Sequence, residues 1–96
     1  MQKEFLIAVD EFCTKHDIEV SFVSSLQQTG LIHVITVEEA SFINAEELKQ
    51  LERYVHFHYE LDINIEGIET ISHMLVRVNR LQDEITALRN RLGLYE

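Results

Sequence analysis

From Ile71 to Leu92 the apolar residues recur alternately three and four apart: Ile71, Met74, Val78, Leu81, Ile85, Leu88 and Leu92. A repeat averaging 3.5 residues lays one narrow apolar stripe along a helix, and in water that stripe needs a second helix to cover it. A helix from about residue 65 to 93 is roughly 42 Å long at 1.5 Å per residue, longer than a small N-terminal body is wide. Ile68, Ile71 and Leu75 can pack on the chain's own core, whereas Leu81 to Leu92 project beyond it. The expectation is therefore a homodimer with those seven seam residues as its interface. If Ile71 is an a position, Arg77, Glu84 and Arg91 fall on flanking g positions, where interchain ion pairs set pairing.

The rest of the chain reads as one body, residues 1–64, continuous with a dimerising helix over 65–96. There is no proline, and the glycines at 30, 67 and 93 are far apart, so no linker or repeat is visible. A short extended piece, Phe5 to Ile7, leads into a helix near 9–16 with Asp10 and Glu11 in its first turn, where the helix dipole favours negative charge. Val9, Phe12, Cys13 and His16 share one face. A second helix runs from about Glu19 to Thr29, with Phe22, Val23 and Leu26 pointing one way and Ser21, Ser24, Ser25 and Gln28 the other. Gly30 supplies the left-handed stop. "LIHVITVEEASFI" predicts a hairpin with the acidic tip Glu38 and Glu39, too small to stand without the helices. Asn44 and Glu47 have the spacing of a capping box. A third helix from about Ala45 carries the stripe Leu48, Leu51, Val55 and Tyr59, and Asn64 caps the fourth.

Charge narrows the partners. The 17 acidic side chains outweigh 8 basic ones for a net charge of −9, the wrong sign for a polyphosphate ligand. Between His16 and Gln50 the only Lys or Arg is Lys49, against Asp17, Glu19, Glu38, Glu39, Glu46 and Glu47. The counterion release that drives DNA binding would be near zero on such a surface, so nucleic acid is not the expected partner. The apolar run before Asp10 is too short for a signal peptide, and no segment approaches a membrane span, so a cytoplasmic protein is expected. The single cysteine, Cys13, agrees with a reducing compartment.

No enzymatic residue set is visible. Cys13 and His16 share a helix face but continue an apolar stripe and lack an orienting third group. His56 and Glu60 can meet at i and i+4, yet two ligands do not make a zinc site. Neither a cofactor nor a metal is expected.

The order helix, turn, helix, hairpin, helix pair and terminal coiled coil resembles MerR-type regulators. The chain is more closely similar to the CbpM family of chaperone modulators through "EFC" at 11–13, "TGLI" at 29–32, "LDINIEGI" at 61–68 and "ALRNRL" at 87–92. The resemblance implies a mainly α fold, a MerR-like winged helix-turn-helix with a small β-hairpin wing and a long C-terminal coiled-coil helix, paired antiparallel. It also implies a function: docking on the positively charged J-domain of a DnaJ-like co-chaperone and competing with its Hsp70 partner. The J-domain of such a partner carries a positively charged helix, which an acidic surface suits by charge complementarity. Glu19, Ser24, Ser25, Gln28, Glu38 and Glu39 are the expected contact residues. The alternative is a MerR-type DNA-binding transcription regulator, and a third reading is a dimeric adaptor.

Overall fold

A computed structural model describes residues 5–93. In chain order it has β1 (Leu6–Ala8), α1 (Val9–His16), α2 (Val20–Gln28), β2 (Val34–Val37) and β3 (Ala40–Asn44). A 3₁₀ turn (Ala45–Glu47), α3 (Leu48–Val55), one π-helical turn (His56–Glu60) and α4 (Ile65–Gly93) follow. The fold is mainly α with one small sheet.

The helices begin and end for local reasons. Both α1 and α2 finish in a left-handed residue with the paired backbone bonds of a Schellman motif. At α1, Asp17 (φ 56°) occupies that position while Ile18 N–H reaches Cys13 O at 3.0 Å. At α2, Gly30 (φ 83°) does so, with Leu31 N–H on Leu26 O and Gly30 N–H on Gln27 O, each at 3.0 Å. Gly30 is thus the helix stop expected from its position. Asn64 caps α4 as expected, its Oδ1 accepting the Gly67 N–H at 2.8 Å.

The sheet is larger than a hairpin. β3 lies between β1 and β2, antiparallel to both, with Ile43 opposite Ile7 on one side and Val34 on the other. The N-terminal extended piece therefore supplies the third strand that a marginal two-stranded ribbon lacks. Sequence spacing does not reveal this pairing, because β1 and β3 are separated by two helices.

The core is a single cluster drawn from every helix: Val9, Phe12 and Cys13 of α1, Phe22, Val23 and Leu26 of α2, Leu51 and Tyr54 of α3, and Ile68 of α4, closed by Ile32 and Ile43. Leu26, Ile43, Leu51 and Ile68 are wholly inaccessible to solvent. Burying such a side chain is worth about 1.5–3 kcal/mol.

Two expectations about the third helix need correction. The Asn44 side chain caps, but it accepts from Glu46 N–H at 2.9 Å, and Glu47 does not reach back to complete a capping box. Glu47 turns instead to His33, its Oε1 accepting the His33 backbone N–H at 3.2 Å and lying 3.3 Å from Nδ1. The stripe Leu48, Leu51, Val55 and Tyr59 also breaks: Tyr54 is buried and Tyr59 is exposed. The extra residue in the π turn advances the helical phase and swings Tyr59 out of line.

α4 is one uninterrupted helix of 29 residues. Ile68 is its only buried residue, Ile71 and Leu75 are half-buried, and from Val76 on its residues face solvent. The helix leaves the body and draws the molecule out to 59 × 40 × 21 Å. No helix among the described residues is long and apolar enough to cross a membrane.

Truncating the centre of the core tests this packing. Leu26→Ala is expected to lower unfolding stability by about 2–5 kcal/mol, read from the midpoint of urea denaturation followed by circular dichroism.

Candidate functional site

α1 and α2 are joined by a three-residue turn, Asp17 to Glu19, that reverses the chain through the left-handed Asp17. α2 holds its apolar face inward with Phe22, Val23 and Leu26, so its outward face is Ser21, Ser24, Gln27 and Gln28, all exposed. None of these carries charge. Ser21 Oγ donates to Glu19 Oε1 at 3.1 Å, so the Glu19 carboxylate is held at the start of the helix.

Beside this face stands the β2–β3 hairpin. Its two-residue loop, Glu38 and Glu39, has φ of 50° and 68°. Two consecutive positive φ angles make a type I′ turn, whose twist matches that of the strands and whose usual residues are Asn and Gly. Glutamate in that conformation costs about 1–2 kcal/mol per residue from the clash of Cβ with the following carbonyl. A groove of about 180 Å³ separates hairpin from helix, with Val20, Ser24 and Gln27 on one wall, Val34, Glu39, Ala40 and Ser41 on the other, and Asp10 at one end.

Of the contact residues expected from sequence, the structure brings Ser24 and Glu39 together across this groove. Glu38 is exposed at the tip and Gln28 at the far end of α2, while Ser25 is half-buried. Gln27 was not anticipated, yet it lies one turn beyond Ser24 and lines the groove. Its signal was available in the i, i+3 spacing from Ser21 through Ser24 to Gln27.

Charge around the face is sparse and mostly negative. Lys15, Lys49 and Arg53 are the basic residues between 5 and 64, and none is on α2 or the hairpin.

The other candidate chemistry is packing. Cys13 is buried, and burial pushes its thiol above the ordinary value, with the Asp10 carboxylate adding to the shift. A thiol held protonated in this way is a poor nucleophile. His16 stacks on Phe12 with ring centroids 4.1 Å apart rather than serving Cys13 as a base. His56 Nδ1 meets Glu60 Oε2 at 3.2 Å, but no group of three metal-ligating side chains occurs among the described residues.

Two short helices in tight succession, the second with a polar outer face and a hairpin alongside, define a helix-turn-helix protein. Residues 7–90 match the family model described as MerR HTH family regulatory protein, and the chain belongs to that family. Neither the curated proteins nor the solved structures compared with it give a match.

Membership corrects the function expected from sequence. The match is to a helix-turn-helix regulatory family, so the chaperone-modulator reading, its J-domain partner and the exclusion of nucleic acid give way to the DNA-binding alternative. A shortage of Lys and Arg does not by itself exclude nucleic acid. Hydroxyls, amides and backbone N–H groups also contact phosphate and bases, and α2 presents the first two. A family of regulators, not of enzymes, also agrees with the lack of a catalytic set in the sequence.

The strained hairpin tip offers a direct test. Replacing Glu38→Asn together with Glu39→Gly is expected to raise unfolding stability by about 1 kcal/mol, since Asn-Gly adopts the type I′ conformation without the Cβ penalty. Chemical denaturation of the double variant against the parent reads this difference.

Proposed function

We propose that this protein is a MerR-type transcription regulator that binds duplex DNA as a homodimer, with α2 in the major groove and the β2–β3 hairpin as the wing beside it. The family match over residues 7–90 carries the reading. The outward face of α2 supports it in residue chemistry. Glutamine pairs with the N6 and N7 edge of adenine, and serine bonds to several bases, so Ser24, Gln27 and Gln28 are suited to base readout. Glu38 and Glu39 act against binding, because a carboxylate about 4 Å from a phosphate costs roughly 1 kcal/mol even in bulk water. Such repulsion lowers affinity for every sequence and leaves discrimination to the contacts of α2. Action on chromosomal DNA agrees with a cytoplasmic location.

Dimerisation rests on α4. Leu81, Ile85, Leu88 and Leu92 are 48 to 64% exposed in the single chain, more apolar surface than a solitary helix leaves bare in water. In the antiparallel register that sets Ile71 opposite Leu88, Met74 opposite Ile85 and Val78 opposite Leu81, Arg77 of one copy lies along Glu84 of the other, twice by symmetry. Residues 1–64 then form the DNA-facing body and 65–96 the dimerising arm of one continuous domain.

The DNA reading is tested by selection from a pool of random duplexes, followed by titration against the enriched sequence. Gln27→Ala or Gln28→Ala is expected to cost about 1–3 kcal/mol at one base position while leaving non-specific binding unchanged. Because residues 1–64 of each copy hold only four basic residues, the slope of log K against log salt should be no steeper than about −7. Failure to enrich any duplex would sink the proposal. Dimerisation has its own measurement: Leu81→Asp with Leu88→Asp should give monomers by light scattering with the helical signal of the body retained, and an unchanged dimer would place the interface elsewhere.

A further inference from the structure

α2 and α4 do not follow each other in the chain, yet one cluster ties the start of the first to the root of the second. Its centre is the π turn between α3 and α4. Tyr59 hydroxyl oxygen accepts the backbone N–H of Glu19, the residue immediately before α2, at 3.1 Å. The Phe22 ring, on the inner face of α2, stacks on His58 with centroids 4.7 Å apart and planes 19° apart, and meets Tyr59 edge-on at 5.4 Å. His58 in turn donates from Nδ1 to the Ile63 carbonyl at 2.8 Å, two residues before α4 begins.

The elbow below the cluster is rigid. Ile63 N–H reaches back to Phe57 O at 2.9 Å, and Asp62 holds a left-handed φ of 60°. Gly67 in the first turn of α4 lets Ile63 approach so closely that a Cβ there would fall 2.7 Å from the Ile63 Cγ2. No slack remains between Ile63 and the helix it introduces.

We infer that His58 and Tyr59 are positioning residues that fix the angle between α2 and α4, and through it the separation of the two DNA half-sites the dimer accepts. The inference rests on the DNA-binding dimer proposed above. In a two-fold dimer joined through α4, any rotation of α2 against α4 is doubled between the two reading helices. B-DNA rotates its grooves by a full turn in about 10 base pairs, so a small change at the clamp shifts both helices out of phase with the duplex. A π turn inside a helix is a recurrent mark of such functional geometry. Here the extra residue places the Tyr59 hydroxyl against α2 rather than in the core.

Tyr59→Phe and His58→Phe, singly and together, keep the rings and remove only the two polar ties. Duplex selection with the full chain is expected to recover from the parent inverted half-sites at one separation. From the double variant it should recover the same half-site sequence spread over several separations, with an unchanged melting transition. Weaker binding at the same single separation would overturn the inference and reduce both residues to stability or phosphate contacts. A second measurement needs no DNA. Spin labels at Gln28→Cys and Asp83→Cys in a Cys13→Ala background, diluted with unlabelled protein, report the α2-to-α4 distance within one copy. The clamp predicts a single narrow distance in the parent that broadens in the double variant, and an unchanged distribution overturns it. If the parent enriches no duplex, the DNA reading fails and the label distance alone decides the clamp.

Discussion

The body is organised around the inner face of α2. Phe22, Val23 and Leu26 belong to the one buried cluster to which α1, the sheet, α3 and the root of α4 also contribute, and Leu26 is fully sealed from water. A chain of this size has one small core, so the helix whose inner face organises it cannot shift without disturbing every neighbour. That constraint also sets the outer face. With three residues per two turns committed inward, Ser21, Ser24, Gln27 and Gln28 are fixed to solvent at a defined angle to the rest of the molecule. The surface available for recognition is thus as rigid as the core behind it.

In the proposed DNA complex, electrostatics shapes how such a surface would recognise its target. Where basic residues are plentiful, phosphate attraction supplies affinity for any sequence and base contacts add discrimination on top. This chain carries an acidic hairpin tip and an uncharged reading helix, so attraction without sequence information is small. Specificity is a difference between affinities, and it is gained as much by weakening the wrong complex as by strengthening the right one. On the proposed reading the cost is low absolute affinity, which pairing of two copies through the exposed seam of α4 would offset, since the second half-site is engaged at high effective concentration once the first is bound.

The aromatic clamp joins these two halves of the molecule. With recognition proposed on α2 and pairing on α4, the two are tied through Phe22, His58, Tyr59 and the backbone at Glu19 and Ile63. Asp62 takes a left-handed φ at this elbow, and the absence of a Cβ at Gly67 is what admits the close approach of Ile63.

Much of the architecture was legible from local pattern. The bounds of α4, the Gly30 stop, the Asn64 cap and the acidic hairpin tip all depend on residues within one or two turns of each other, where period and side-chain chemistry are read directly. The partner was not legible, because net charge describes a whole surface whereas recognition depends on the few groups that face the ligand. What only the tertiary structure decided are contacts between residues distant in sequence. β1 joins β3 across two intervening helices, Glu47 leaves its own helix start for His33, and Tyr59 leaves the apolar stripe to take the N–H of Glu19. Each outcome turns on where separate elements are brought together by burial of the shared core. A helical period fixes which residues lie on one face, but not which distant backbone group that face will meet.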